Sequence, residues 1–179
     1  FEQRKSHLVV GLDYQFLVDI NPDIIITLAY GQIVPQGLLD IPKYGCLNLH
    51  GSLLPRYRGA SPIQTALFNN DKVTGVTLME MIDKMDAGRM YAKEEVLIDD
   101  EDNTTSLFIK IGEKKKRLIL RELPNYIDGK LVGVAQDESE VTFTKIIKPE
   151  DEKICLDFSK EKIFGLIRGL SDLPGAYLL

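Results

Sequence analysis

The chain lacks tryptophan and has only two cysteines and two histidines among its 179 residues. Cys46 and Cys155 lie far apart, and neither belongs to a Cys-x-x-Cys pair or to a Cys/His cluster. Disulfide scaffolds and structural zinc sites need such spacing. The sequence therefore predicts no metal site and fits a reducing compartment. We expect the cytoplasm, and an organelle matrix is equally compatible.

Long apolar runs are absent too. No stretch approaches the roughly 20 apolar residues that span a bilayer, so no membrane partner is expected. No basic-then-apolar leader opens the chain, so no signal peptide is visible. The first residue is Phe1 rather than Met, and residues 176–179 resemble a strand that has just begun. We therefore expect a piece of a longer protein, truncated at both ends.

The charge balance is mildly acidic, with 22 basic and 27 acidic side chains and a net charge of −5. A protein that coats nucleic acid through its phosphates would normally be basic, so general nucleic-acid coating is not expected. The chain is 44% hydrophobic and 27% charged, which is ordinary for a globular protein. This composition excludes disorder and collagen-like repeats.

Predicted strands and helices alternate along the chain. Residues 24–29 are apolar at nearly every position, as expected for a parallel strand buried on both faces. The other predicted strands cover 45–50, 74–82 and 89–98. The predicted helices cover 62–68, 104–122 and the stretch after Ser159, and Thr104 or Thr105 is the expected cap of the second. This alternation predicts an α/β sheet with helices on both faces.

Two polar residues, Asn48 and His50, stand at the end of a predicted strand. Because they are two positions apart, their side chains project from the same face. Ligands of open α/β sheets bind outside the carboxyl ends of the strands. A hydrogen-bonded structural pair is the more frequent explanation of such a dyad alone. The Gly-Ser-Leu-Leu-Pro loop that follows favours a ligand site, because its backbone amides can surround one.

A loop over residues 83–88 carries Asp86 between two apolar segments. A solvated turn would explain it, but a carboxylate beside His50 would raise the pKa of the histidine and orient its ring. Asn48 could then donate to a developing oxyanion, an effect of about 3–4 kcal/mol in comparable sites. His50 and Asp86 could remove the proton of an attacking amine. These three residues suit acyl transfer to an amine without a serine or cysteine nucleophile.

Several segments closely resemble methionyl-tRNA formyltransferases, a branch of the folate-dependent formyltransferase superfamily. The Asn-x-His-x-Ser-Leu-Leu-Pro core is shared across the superfamily, and the following Arg-Tyr-Arg-Gly-Ala-Ser-Pro-Ile-Gln is more specific to the tRNA branch. The resemblance runs from about residue 20 to the end, whereas residues 1–19 do not match the family's opening units. The matching segments are 28–35, 48–64, 74–77, 85–88, 167–170 and 174–177.

This resemblance implies a Rossmann-like formyltransferase domain over residues 1–133, a linker over 134–150 and the start of a C-terminal β-barrel domain over 151–179. The donor would be 10-formyltetrahydrofolate. The acceptor would be the amino group of initiator methionyl-tRNA, for translation initiation by a monomer. Asn48, His50 and Asp86 would be catalytic. The implied folate-binding residues are Ser52, Leu53, Leu54, Pro55, Tyr30, Gln32, Ile33, Val34 and Asp83.

Other functions remain open at this point. A sister enzyme could formylate a sugar-nucleotide amine or glycinamide ribonucleotide, a hydrolase could pass the formyl group to water, and a non-catalytic module could merely bind folate or tRNA. Arg56 and Arg58 are candidate phosphate contacts beside the loop. The basic run 114–117 is more simply a solvated helix face than a tRNA contact. No Gly-x-Gly-x-x-Gly motif supports a nicotinamide cofactor.

Overall fold

A mixed four-stranded sheet forms the centre of the computed structural model, which describes residues 15–28 and 34–178. Strand β1 (Ile25–Thr27) runs parallel to β2 (Cys46–His50). Strand β4 (Val73–Glu80) pairs antiparallel with β2 and with β5 (Met90–Leu97). The order β1-β2-β4-β5 therefore puts the strand that carries Asn48 and His50 in the interior of the sheet.

The predicted α/β architecture is confirmed, with one difference at β1. The prediction of a strand buried on both faces is wrong for β1, because Ile26 is 38% exposed. Ile25 and Thr27, which project from the other face of the sheet, are half-buried, so only the face that carries Ile26 is left uncovered by the described residues.

Helices flank the sheet where apolar residues recur at helical spacing. They are α1 (Gln15–Ile20), α2 (Gln36–Leu39), α3 (Pro62–Phe68), α4 (Thr104–Ile127) and α5 (Lys160–Leu170). The prediction of Thr104 or Thr105 as the cap of α4 is wrong by one or two residues. Asn103 is the cap: its side-chain oxygen accepts from the Ser106 amide at 2.9 Å, and the Ser106 hydroxyl accepts from the Asn103 amide at 3.1 Å. This reciprocal pair satisfies two free amides of the first turn.

The main core lies between the sheet and α3 and α4. Its members are aliphatic or small side chains that leave almost no surface exposed, together with the ring of Tyr57. They are Leu47, Leu49, Tyr57, Ile63, Ala66, Leu67, Val76, Leu78, Val96, Ile98, Leu107, Ile111 and Leu118.

Helix α5 packs on α3 through two glycines. A Cβ atom at Gly165 would lie 2.6 Å from the carbonyl oxygen of Phe68, and one at Gly169 would lie 2.4 Å from the Phe68 ring. The close approach therefore excludes larger side chains at both positions. The predicted boundaries at 133 and 150, and the predicted barrel, stay predictions.

The segment after α4 returns to the loop that follows β2. Strand β6 (Phe143–Thr144) pairs in parallel with β3 (Arg58–Gly59). Two short 3-10 helices, Glu138–Glu140 and Pro149–Glu152, flank β6. The predicted linker thus contributes structure beside the candidate site. Within the described part of the chain, no helix is both long and apolar enough to cross a membrane.

Candidate active site

A cavity of about 460 Å³ opens beside the carboxyl end of β2. Asn48, His50 and Asp86 all line it, as the sequence predicted for a catalytic group. Val34 and Asp83 line it as well. The structure therefore brings together the three predicted catalytic residues and two of the predicted folate contacts.

His50 lines this cavity and is only 6% exposed. Its Nε2 atom is 2.8 Å from the carbonyl oxygen of Tyr57, which can only accept, so Nε2 carries the hydrogen. The other ring nitrogen, Nδ1, lies 3.5 Å from Oδ1 of Asp86. In the neutral ring Nδ1 is the unprotonated nitrogen, and it faces the carboxylate across the site.

The pKa of His50 is held below its ordinary value of 6.5, chiefly because burial disfavours the charged ring. Asp86 and the Tyr57 carbonyl raise the pKa, and Lys115 lowers it again. As expected, the Asp86 carboxylate raises the pKa of His50. The opposite effect of burial is larger, so the net shift is downwards. His50 is consequently a neutral base near pH 7.

Asp86 is fixed from two sides. Its Oδ2 atom accepts a hydrogen bond from the amide of Gly59 at 2.8 Å. The side-chain amide of Gln136 donates to the Asp86 carbonyl oxygen at 2.7 Å and to the Gly88 carbonyl oxygen at 2.9 Å. Asp86 itself has a φ of +50°, a conformation that is uncommon outside glycine. These contacts keep the loop in that conformation and its carboxylate towards His50.

Arg58 supports the same loop indirectly. Its side chain is buried, with Nε donating to Oε1 of Gln136 at 3.0 Å and a terminal nitrogen donating to Glu138 at 2.8 Å. The expectation of a phosphate contact at Arg58 is therefore wrong, because its guanidinium already has partners inside the protein. The more exposed Arg56 lies 3.4 Å from a carboxylate oxygen of Asp71 and 2.8 Å from the Tyr57 hydroxyl.

Asn48 has an oriented side-chain amide. The hydroxyl of Thr27 lies 3.1 Å from Oδ1 of Asn48, and only the hydroxyl can donate in that pair. Among the described residues, the Nδ2 group of Asn48 has no hydrogen-bond acceptor. Its two hydrogens are therefore available to a ligand oxygen in the cavity.

The predicted folate-binding segment 52–55 does not line the cavity. Ser52 donates to the Arg56 carbonyl at 2.6 Å, while Thr77 donates to the Ser52 carbonyl at 2.7 Å and accepts from the Leu54 amide at 3.1 Å. Ser52, Leu54 and Pro55 are buried, and Leu53 packs against Gly75. The contact of this segment with folate stays a prediction.

Three predicted folate contacts, Tyr30, Gln32 and Ile33, lie outside the described residues. Other cavity residues were not predicted. Thr144 and Ile146 come from the segment taken as a linker, and Lys115 comes from α4. A sequence signal for Lys115 existed, since it stands four residues after Ile111 and three before Leu118, within the apolar stripe of the helix.

Residues 14–123 match the formyl transferase family. The methionyl-tRNA formyltransferases of Lactobacillus acidophilus and Lactobacillus johnsonii are 45% and 47% identical to the chain over 163 residues. The matched region makes up 91% of this chain and 52% of each relative. The chain thus spans about half the length of the curated relatives it matches.

Solved structures share the fold at lower identity. A sugar N-formyltransferase from Shewanella superposes with a TM-score of 0.78 at 21% identity, covering 96% of this chain and 70% of that one. HypX from Aquifex aeolicus, in complex with tetrahydrofolic acid, superposes with a TM-score of 0.78 at 19% identity, covering 92% of this chain and 29% of that one. The chain therefore has the Rossmann-like α/β fold of formyltransferases, with a mixed open sheet.

Proposed function

The chain belongs to the formyl transferase family, and we propose that its site transfers a formyl group from 10-formyltetrahydrofolate to the amino group of methionine on initiator methionyl-tRNA. The observation that carries this proposal is the convergence of Asn48, His50 and Asp86 on one cavity. The 45% identity to a methionyl-tRNA formyltransferase favours this acceptor, and with it a role in translation initiation.

The cavity suits a folate ring system. Its volume of about 460 Å³ lies within the usual range for drug-sized ligands, about 300–1,000 Å³. Val34, Met79 and Met81 supply apolar walls for a flat ring, and the exposed Asp83 supplies a carboxylate at the rim. When bound there, the donor supplies an activated formyl carbon.

Asn48 is placed to act as the oxyanion donor. The Thr27 hydroxyl lies near Oδ1 of Asn48, the Leu47 carbonyl and the Met81 sulfur, and its single hydrogen serves one of them at a time. The Nδ2 hydrogens of Asn48 have no acceptor among the described residues, so they are available to a ligand oxygen on which negative charge develops during acyl transfer. Loss of one such donor typically costs about 2.7–4 kcal/mol of transition-state stabilisation. Because the donor is pre-oriented, no reorganisation is needed at the moment of reaction.

His50 is placed to take the proton of the attacking amine. Its ring is neutral and presents the unprotonated Nδ1 towards the site, since Nε2 is already bonded to the Tyr57 carbonyl. Once protonated at Nδ1, the ring lies within 3.5 Å of Asp86, which stabilises the new positive charge. The pair can then return the proton to the departing nitrogen of the donor.

Formyl transfer by the full-length protein is the direct test. Charged initiator tRNA would compete with a sugar-nucleotide amine, glycinamide ribonucleotide and water, and mass spectrometry would identify the products. We expect formyl-methionine as the main product and a rate reduced about 100-fold or more in Asp86→Asn, with donor binding retained. Asp157→Asn, an exposed carboxylate outside the cavity, is the matched control.

Three outcomes would contradict the proposal. Formylation of another amine would keep the reaction and replace the acceptor. Binding of 5-formyltetrahydrofolate without transfer to any acceptor would indicate a non-catalytic folate module. Equal activity in Asp86→Asn and the unsubstituted protein would remove the assigned mechanism.

A further inference from the structure

Helix α4 buries a lysine in its apolar stripe. Lys115 is 8% exposed and lies on the same helix face as Leu107, Ile111 and Leu118, which are almost fully buried. Lysine is rarely buried unless its ammonium is paired, because taking a charge out of water is costly. A lysine at this position therefore needs a compensating partner.

The described residues provide no such partner. Across residues 15–28 and 34–178, no hydrogen bond or ion pair reaches the amine of Lys115. Its neighbours on α4 differ: Lys110 pairs with Asp99 and Asp102, and Lys114 lies 3.5 Å from Glu94. Burial alone lowers the pKa of Lys115.

Lys115 also lines the cavity that contains His50. It is near enough for its charge to lower the pKa of His50. Two carboxylates line the same cavity, but Asp86 accepts from the Gly59 amide and faces His50, and neither Asp86 nor Asp83 forms an ion pair with Lys115. This side of the site thus presents a largely buried lysine whose amine keeps access to solvent at the cavity and has no counter-charge from the described protein.

We propose that Lys115 binds an anionic oxygen, a carboxylate or phosphate oxygen, of a ligand in this cavity. A neutral ligand oxygen would leave the ammonium uncompensated, whereas an anion offsets the cost of burying it and forms a stronger, charge-assisted hydrogen bond. The choice of candidate anions rests on the proposed function. A folate donor carries carboxylates on its glutamate tail, and a tRNA acceptor carries phosphates near the reacting amine.

Three variants of the full-length protein isolate this contact. Lys115→Met removes the charge and keeps an unbranched side chain of similar length, which suits an apolar stripe. Lys115→Arg keeps the charge. Lys116→Met makes the same chemical change one residue away, where the side chain is exposed.

Two affinities are measured for each variant. The first is the dissociation constant of 5-formyltetrahydrofolate, and of its counterpart without the glutamate tail, by calorimetry. The second is the KM for charged initiator tRNA at saturating donor. We expect Lys115→Met to weaken one of them by about 10- to 100-fold, the usual effect of one hydrogen bond to a charged group. Lys116→Met should stay within about twofold of the unsubstituted protein, and Lys115→Arg should lose less than Lys115→Met.

The two measurements identify the anion. If Lys115→Met weakens binding of 5-formyltetrahydrofolate but not of the compound without the glutamate tail, the anion is the folate carboxylate. If Lys115→Met raises only the KM for tRNA, the anion is a phosphate. If Lys115→Met matches the unsubstituted protein in both measurements, or if Lys116→Met loses as much, the proposal is overturned. If the unsubstituted protein transfers no formyl group while Lys115→Met still loses affinity for 5-formyltetrahydrofolate, the proposed function fails and this site remains.

Discussion

The side-chain amide of Gln136 donates a hydrogen bond to the carbonyl oxygen of Asp86 over 2.7 Å, across 50 residues of chain. The same amide group binds the Gly88 carbonyl, and its oxygen accepts from the buried Arg58. Gln136 thus ties together the loop with the carboxylate, the loop after β2 and the segment after α4. It is a positioning residue, because it acts on the site through Asp86.

Replacing Gln136 by Glu should therefore slow catalysis without weakening donor binding. A carboxylate can still accept from Arg58, but it cannot donate to the two carbonyl oxygens and repels them. We expect kcat to fall about 10- to 100-fold, since small displacements of a catalytic group are costly. Steady-state kinetics would be paired with calorimetry of 5-formyltetrahydrofolate, and Gln36→Glu on the exposed face of α2 is the control. An equal loss in donor affinity and kcat would argue for general disorder of the site.

Gly88→Ala should prevent normal folding of the catalytic loop. A Cβ atom there would lie 2.0 Å from the backbone oxygen of Glu80, and a backbone atom cannot move aside like a flexible side chain. We expect a loss of about 3 kcal/mol or more in the free energy of unfolding. Gly112→Ala in α4 is the opposite case, since nothing lies within 4 Å of its Cβ position, and we expect a gain of about 0.5–1 kcal/mol. Urea unfolding of both variants checks the pair.

The stability of the protein should rise with pH through the titration of His50. Its pKa in the folded state lies below the ordinary 6.5, so between those two values the unfolded chain binds more protons. The penalty for protonating His50 is complete below the folded-state pKa and is gone above 6.5. We expect His50→Gln to flatten this part of the stability curve, which lies below pH 6.5. Urea unfolding at several pH values would show it, and an unchanged slope would contradict the buried neutral ring.

Lys115→Met should stabilise the protein while it weakens ligand binding. Burial lowers the pKa of Lys115 from 10.5, so the folded state disfavours the charged amine and the unfolded chain binds more protons below pH 10.5. Removing this charge should raise the free energy of unfolding by on the order of 1 kcal/mol at pH 7, and the gain should shrink as pH approaches 10.5. Thermal unfolding at pH 7 and pH 10 measures both effects. A lower melting temperature at pH 7 would show that the lysine has a structural partner.

Local sequence patterns predicted much of the fold. The apolar periodicity located β2, β4, β5 and the long helix, and Ser159 caps α5 by accepting from the Lys162 amide, as predicted. The cap of α4 was predicted wrongly because Asn103, Thr104 and Thr105 are all suitable cap residues. Only the hydrogen bonds with Ser106 identify Asn103 as the cap. Strands, helices and helix caps depend on residues only a few positions apart, so a local sequence pattern is enough to predict them.

The candidate site was predictable only in part. Asn48 and His50 stood out as polar residues at the end of an apolar strand, and Asp86 as a carboxylate in the loop between two apolar segments. All three also lie in segments that resemble the formyltransferases. Gln136 did not stand out, because it lies in no quoted motif and its contact with Arg58 spans 78 residues. The pKa of His50 depends on burial by distant elements, which no local pattern reveals. The charge of Arg58 suggested phosphate binding. In the structure its guanidinium instead donates hydrogen bonds to Gln136 and Glu138.

The short β3–β6 pairing has a mechanical consequence. The Gly59 amide that holds the Asp86 carboxylate belongs to β3, and β6 lies directly against it in the parallel register Gly59 to Thr144. A displacement of β6 is therefore expected to shift β3, and with it the Gly59 amide that binds Asp86. Residues 143 and 144, which are distant from Asp86 in the sequence, thus help to set the position of its carboxylate.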